Sequence, residues 1–213
     1  MEIASDVLGT QLVYRTMLDA VARPGTVKSF AAAARELGSE AGCSPAAAAI
    51  ALTLLDREVT HAVFLNDGGK LAAFIRRMTF SPEADAASAD YVFAEGHADA
   101  GAVRSIAGKL KTGTLEAPEE SAMVLLRVDR FAPARDGSGE GEDTLVLSGP
   151  GIPGEWRCAI SGVHPEWWTQ RERLNAEFPM GTDWFFFTDE GLMMAIPRTT
   201  RVRREAASWH TRR

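Results

Sequence analysis

HAVFLNDGGKLAAFIRRM, residues 61–78, carries the two periodicities from which the class of fold follows. His61 to Leu65 form a near-continuous apolar run, the pattern of a strand covered on both faces. Asn66-Asp67-Gly68-Gly69 make a turn. Leu71, Phe74, Ile75 and Met78 then stand at i, i+3, i+4 and i+7, which is one face of a helix. Strand, turn and helix in this order are the building unit of a layered α/β sheet.

The same alternation extends on both sides. Upstream, Tyr14, Met17, Leu18 and Val21 predict a helix from about Leu8 to Arg23, with Arg15, Asp19 and Arg23 as an i, i+4 polar ladder, Asp6 as cap and Pro24-Gly25 as the stop. Ser44-Pro45 opens a second helix through Ala46 to Leu55, with proline where its missing N–H is not needed. Downstream, YVFA (91–94) is a second buried strand, and Val103, Ile106, Ala107 and Leu110 repeat the helical spacing.

The second half is strand-rich: SAMVLLRV (121–128), TLVLS (144–148), WFFFT (184–188) and LMMAI (192–196), with one clear helix at 165–178 burying Trp167, the stem of Arg171, Leu174 and Phe178. Asp189-Glu190-Gly191 is a hairpin loop whose glycine suits the left-handed position. The expected fold is α/β, a layered mixed β-sheet with flanking helices. A single domain over 1–204 is expected, with a mobile polar loop at 133–143 and a flexible basic tail at 205–213.

Composition bounds the classes of function. A chain of 213 residues should bury roughly 70–75% of its unfolded surface. Its 46% hydrophobic and 24% charged residues are those of an ordinary globular protein. No run reaches the ~18 apolar residues of a membrane span, and Glu2, Asp6 and Arg15 do not fit a secretory signal, so a cytoplasmic location is expected. Cys43 and Cys158 lack metal-site spacing and are expected as free thiols, with one disulfide as the alternative. A net charge of −6 argues against broad nucleic-acid or anionic-membrane binding. The exception is IPRTTRVRREAASWHTRR (196–213), six arginines against Glu205, read as a solvated terminus or an anion- or partner-facing patch.

Gly149, Gly151 and Gly154 in LVLSGPGIPG (145–154) match the spacing of a dinucleotide fingerprint. Pro150 and Pro153 remove amide donors, however, and no helix pattern follows, so the stretch reads as a tight turn between strands. Lys28, Lys70, Lys109 and Lys111 offer no convincing Schiff-base position. His61, His97, His164 and His210 are dispersed without metal-ligand spacing and read as surface or structural residues. Neither a nucleophile elbow nor a Walker sequence is present. One constellation remains: Arg198, Thr199 and Thr200 after LMMAIP, a guanidinium fork and two hydroxyls that suit a phosphate or phosphonate, or a partner carboxylate. A structural ion pair for Arg198 weighs equally on the chemistry.

Several segments together resemble the H subunit (PhnH) of the bacterial carbon-phosphorus lyase system: YRTMLDAVARPGTV (14–27), KLKTGTLEAPEESAMVLLRV (109–128), LVLSGPGI (145–152), FPMGTDWFFF (178–187) and AIPRTTRV (195–202). They keep the family's order over most of the chain. The 133–143 loop and the arginine tail past Val202 look longer than the family's pattern. The resemblance implies a reduced relative of the pyridoxal-phosphate-dependent transferase fold without its cofactor site. It also implies a homodimer that assembles with the G, I and J subunits, and a part in converting ATP and an alkylphosphonate to ribose 1-alkylphosphonate 5-triphosphate.

The resemblance carries over no catalytic residue, cofactor or metal. The expectation is therefore an accessory subunit without chemistry of its own, with anion or partner contacts at Arg198, Thr199, Thr200, Gly149 and Gly151. Two rivals stand beside it: a stand-alone enzyme or binding protein for a phosphorylated small molecule, and a binding module using an exposed Trp167 or Trp168.

Overall fold

A computed structural model of the chain describes residues 2–38, 41–133 and 142–205. In chain order the elements are α1 (Glu2–Ala22), β1 (Lys28–Ser29), α2 (Ala31–Gly38), α3 (Pro45–Leu54), β2 (His61–Phe64), α4 (Gly68–Met78), β3 (Tyr91–Glu95) and α5 (Ala100–Ala107). After a 3-10 turn at 118–120 come β4 (Met123–Arg127), β5 (Arg130–Pro133), β6 (Glu142–Ser148), β7 (Trp156–Ser161), α6 (Pro165–Leu174), β8 (Asp183–Phe187), β9 (Leu192–Ile196) and β10 (Arg201–Glu205). The 134–141 part of the polar loop and residues 206–213, which include His210 and the last two arginines, lie outside the described residues.

The strands make two sheets. Six form a mixed sheet in the order β1-β9-β8-β4-β3-β2, with β2, β3, β4 and β8 parallel and β8-β9-β1 antiparallel. The other four form an antiparallel sheet in the order β10-β6-β7-β5. The layered mixed sheet with flanking helices expected from the sequence is present, and the antiparallel sheet beside it is an addition that the sequence reading did not separate. A short apolar run such as TLVLS marks a buried strand but not which sheet it joins.

Alternating side chains of the central strands feed two cores. Phe93, Leu125, Phe185, Phe187, Met193 and Ala195 point to one face, where α1 to α4 cover them. Val92, Val124, Leu126, Trp184, Phe186 and Ile196 point to the other, which receives α5, α6 and the apolar face of the second sheet through Leu145, Leu147, Cys158 and Ile160. Trp167 meets Trp184 edge-on with ring centroids 5.6 Å apart, and Trp168 stacks on Phe186 at 5.4 Å. Both indoles are buried, which removes the exposed-tryptophan reading.

Several helices differ from their sequence pattern. Helix α1 begins at Glu2, so Asp6 lies within it and does not cap it. Its buried stripe is Val13, Met17 and Ala20, whereas Tyr14, Leu18 and Val21 are 51%, 53% and 40% exposed. Both stripes are apolar, and periodicity alone cannot say which one meets the core. Helix α2 escapes notice because its buried positions are the small Ala33 and Ala34 beside Leu37. Helix α3 follows expectation, with Ser44 Oγ accepting from the Ala47 N–H at 3.3 Å. Helix α6 stops at Leu174, leaving Phe178 70% exposed, and Met78 at the end of α4 is 49% exposed.

Candidate functional site

Arg198 lies two residues past β9 and makes a dense set of bonds. Its backbone N–H donates to Asp183 Oδ1 at 2.8 Å, and Nε and Nη2 donate to Asp183 Oδ2 at 3.1 and 2.7 Å. Nη1 donates to the carbonyls of Pro118 and Pro179 at 2.8 and 3.2 Å, and Nη2 also to Ser121 Oγ at 2.5 Å. A guanidinium owns five N–H donors, and these five side-chain bonds engage them all with protein acceptors. The result is a clamp joining the 118–121 turn, Pro179, the start of β8 and the exit from β9.

Thr199 is exposed, and Thr200 is 2% exposed with an Oγ1 that has no partner among the described residues. The glycine turn packs directly behind them. Gly149 has φ +137°, and a Cβ there would lie 2.9 Å from the Thr199 carbonyl oxygen. Gly151 has φ +80°, and its Cβ would meet the Ala22 carbonyl at 2.6 Å. The 149–154 segment joins antiparallel β6 and β7, with Leu147 opposite Trp156, so it is a hairpin turn and no helix follows it. The structure therefore brings Gly149, Thr199 and Thr200 together through backbone packing.

Sequence patterning singled out Arg171 only for its stem, yet it is the centre of this region. The residue is 4% exposed on the core face of α6. Its Nη2 donates to the carbonyls of Ile196, Pro197 and Thr200 at 3.3, 2.7 and 3.2 Å, bracing the turn that holds Thr200. Burial pulls its pKa down to about 10, opposed by the charge of Asp183, so it stays protonated at neutral pH. Nε is buried without a partner, as is Nδ2 of Asn175, whose Oδ1 accepts from the Thr182 N–H at 2.7 Å. A pocket of about 420 Å³ opens here between α6 and β10, lined among others by Trp168, Arg171, Asn175, Thr200, Arg201 and Arg204. The signal in the sequence was a charged residue in the apolar phase of a helix.

A second charged cluster joins the C-terminal ends of the parallel strands, where open α/β sheets commonly bind ligands. Buried Glu95 pairs with Arg127, whose Nη1 also lies 3.0 Å from Asp67 Oδ1 and 3.6 Å from Asp189 Oδ1. Burial would lower the Arg127 pKa, but the Glu95 hydrogen bond and the surrounding carboxylates raise it above its ordinary value. The Asn66 N–H donates to Glu95 Oε1 at 2.8 Å, and exposed His97 stands 3.8 Å from Glu95. The cluster staples β2, β3, β4 and β8 together.

The other reactive side chains act as structural donors and acceptors. His61 Nδ1 is 2.9 Å from Ser81 Oγ, which donates to the Val59 carbonyl at 2.7 Å, so the Nδ1–H tautomer follows. His164 caps α6 by accepting from the Glu166 N–H at 3.1 Å. Cys43 and Cys158 are free thiols, and burial pushes their pKa values up to about 11 and about 12. Among the described residues no group of three or more His, Cys, Asp and Glu could hold a metal ion, and no helix is long and apolar enough to cross a membrane.

Fold and site together define a two-sheet α/β protein that presents charged recesses and an uncovered apolar helix face. The family model of the bacterial phosphonate metabolism protein PhnH matches residues 2–203, and the chain belongs to that family. A relative from Stutzerimonas stutzeri, HtxG, described as a candidate C-P lyase subunit protein, is 31% identical over 202 residues, 92% of this chain and 87% of its own. The PhnH subunit of alpha-D-ribose 1-methylphosphonate 5-triphosphate synthase from Rhizobium meliloti (strain 1021) is 27% identical over 206 residues, 95% of this chain and 94% of its own.

Proposed function

We propose that this chain is an accessory subunit of a carbon-phosphorus lyase core complex, supporting formation of ribose 1-alkylphosphonate 5-triphosphate from ATP and an alkylphosphonate. Its partners in this reading are a second copy and the G, I and J subunits, in the cytoplasm. The fold takes its place as a reduced pyridoxal-phosphate-dependent transferase relative that works without the cofactor. In this reading Thr199 and Thr200 offer the anion or partner contacts, while Arg198, whose donors are held by protein acceptors, and Gly149 and Gly151 shape the turns that present them.

The observation that carries a subunit role is the apolar stripe of α1. Val7, Tyr14, Leu18 and Val21 follow one another along one side of the helix and are each at least 40% exposed. A contiguous apolar face of this kind marks a surface that another protein covers. Family membership and the names of both relatives support a phosphonate-catabolic complex as the partner of that surface.

Deletion of the gene tests this reading. Growth on methylphosphonate as sole phosphorus source should be lost while growth on phosphate is kept, and a tagged chain from phosphate-starved cells should bring down stoichiometric partners. Normal growth of the deletion strain on methylphosphonate would reject the proposal. The rival reading, a stand-alone protein for a phosphorylated small molecule, is favoured by the basic pocket beside α6, and turnover by the purified chain alone would establish it.

A further inference from the structure

The pocket between α6 and β10 has an uneven charge balance. Four arginines line it: Arg171, Arg198, Arg201 and Arg204. Arg198 is neutralised by Asp183, and Arg204 by Asp143 at 2.8 Å. Among the described residues Arg171 and Arg201 form no ion pair, and Glu172 is the one carboxylate in the lining. A buried guanidinium is ordinarily held by a counterion, because desolvating a cation without one is costly. Arg171 hydrogen-bonds only carbonyl oxygens, all of them through Nη2, and Asp183, whose charge also favours it, is ion-paired with Arg198.

The polar atoms left over are mostly donors. Among the described residues Arg171 Nη1 makes no hydrogen bond and, unlike Nε, is not sealed from solvent. Thr200 Oγ1 and Asn175 Nδ2 also have no partner among the described residues; like Nε both atoms are buried, but they belong to residues that line the same cavity. Bracing the 197–200 turn accounts for one nitrogen of Arg171 and for none of these other groups. Buried donors without acceptors are rare in folded proteins and call for a partner.

We propose that Arg171 and Arg201, joined by Asn175 and Thr200 as their buried polar ends turn toward the cavity, form a binding site for a tetrahedral phosphoryl or phosphonyl dianion. The donors come from three chain segments, α6, the 197–200 turn and β10, which suits a ligand with three terminal oxygens better than a planar carboxylate with two. At about 420 Å³ the pocket is large enough for an organic substituent as well, and Trp168 and Val202 supply its apolar wall. The phosphonyl form of the ligand rests on the function proposed above, whereas the oxyanion site stands on the pocket alone.

Titration calorimetry of the full chain in low-salt chloride buffer tests the site, with inorganic phosphate, methylphosphonate and tripolyphosphate as probes and acetate as the carboxylate control. At least one phosphorus probe should bind saturably and more tightly than acetate. Thr200→Val removes only an unpartnered hydroxyl, so the unliganded melting temperature should hold while binding weakens roughly tenfold, the scale of one hydrogen bond to a charged group. Arg201→Ala, at the exposed rim, should weaken it at least as much. No binding of any phosphorus probe, equal binding of acetate, or wild-type affinity in both variants would overturn the site. The deletion strain's growth tests the phosphonate reading separately, so either idea can fail without hiding the other.

Discussion

Replacing Arg198 by alanine should unfold this protein more easily by about 2–3 kcal/mol. The substitution removes five side-chain hydrogen bonds and strands the Asp183 carboxylate, Ser121 Oγ and the carbonyls of Pro118 and Pro179. Breaking a buried ion pair costs about 3–5 kcal/mol, while an exposed pair is worth about 0–1. The Arg198 side chain is 14% exposed and that of Asp183 is 31% exposed, so water rehydrates the orphaned carboxylate in part and brings the loss below the buried range. For a chain of this size the loss corresponds to a melting temperature lower by about 4–12 °C. Lysine restores the charge but places three donors at one point, whereas the acceptors surround the guanidinium, so Arg198→Lys should recover less than half. Urea denaturation followed by tryptophan fluorescence gives the free energies, and a cycle with Asp183→Asn should return a coupling of about 1 kcal/mol or more. An Arg198→Ala protein within about 0.5 kcal/mol of wild type, or complete rescue by lysine, would refute the clamp.

Burial holds the His61 imidazole below its ordinary pKa, opposed by Glu83 and the Pro82 hydrogen bond. The unfolded chain therefore takes up the proton first as pH falls through about 6.5, so this contribution is present above that pH and lost below it, by at most about 1.4 kcal/mol per pH unit. His61→Asn, which can keep the bond to Ser81 without titrating, should flatten that slope in melts from pH 7.5 to 5; an unchanged slope assigns it elsewhere. Phe80 has φ +60° and is 68% exposed, so Phe80→Asn should raise stability by about 0.5–1 kcal/mol through relief of a left-handed backbone. A destabilised variant would mean that the ring contributes more than the strain. Leu18→Glu should leave monomer stability within about 0.5 kcal/mol but abolish self-association or partner capture, read by sedimentation and pull-down; unchanged assembly would move the interface off α1.

Local chemistry could be read without the fold. The Ser44-Pro45 helix start, the Asp189-Glu190-Gly191 hairpin and the Pro150 and Pro153 argument against a phosphate loop each depend on residues within a few positions of one another, and each feature is present. Short, near-continuous apolar runs placed β2, β3, β4, β8 and β9 for the same reason. Family membership, too, was visible in the ordered short motifs, and the match over residues 2–203 shows it.

Tertiary structure decided the rest, because partner choice is long-range. Tyr14, Leu18 and Val21 look like core in the sequence, and only the docking of α1 through Val13, Met17 and Ala20 leaves them outside. The apolar run at 144–148 reads like the other strands, and only the register of β6 and β7 with β10 and β5 makes a second sheet. Arg198 and Arg171 look equally cationic on paper. Asp183, Pro179, Ser121 and Pro118, between 15 and 80 positions from Arg198, saturate its guanidinium, while the turn braced by Arg171 supplies carbonyls and no carboxylate. Side-chain periodicity records that a residue is buried, but charge compensation depends on which distant groups the folded chain brings within about 4 Å.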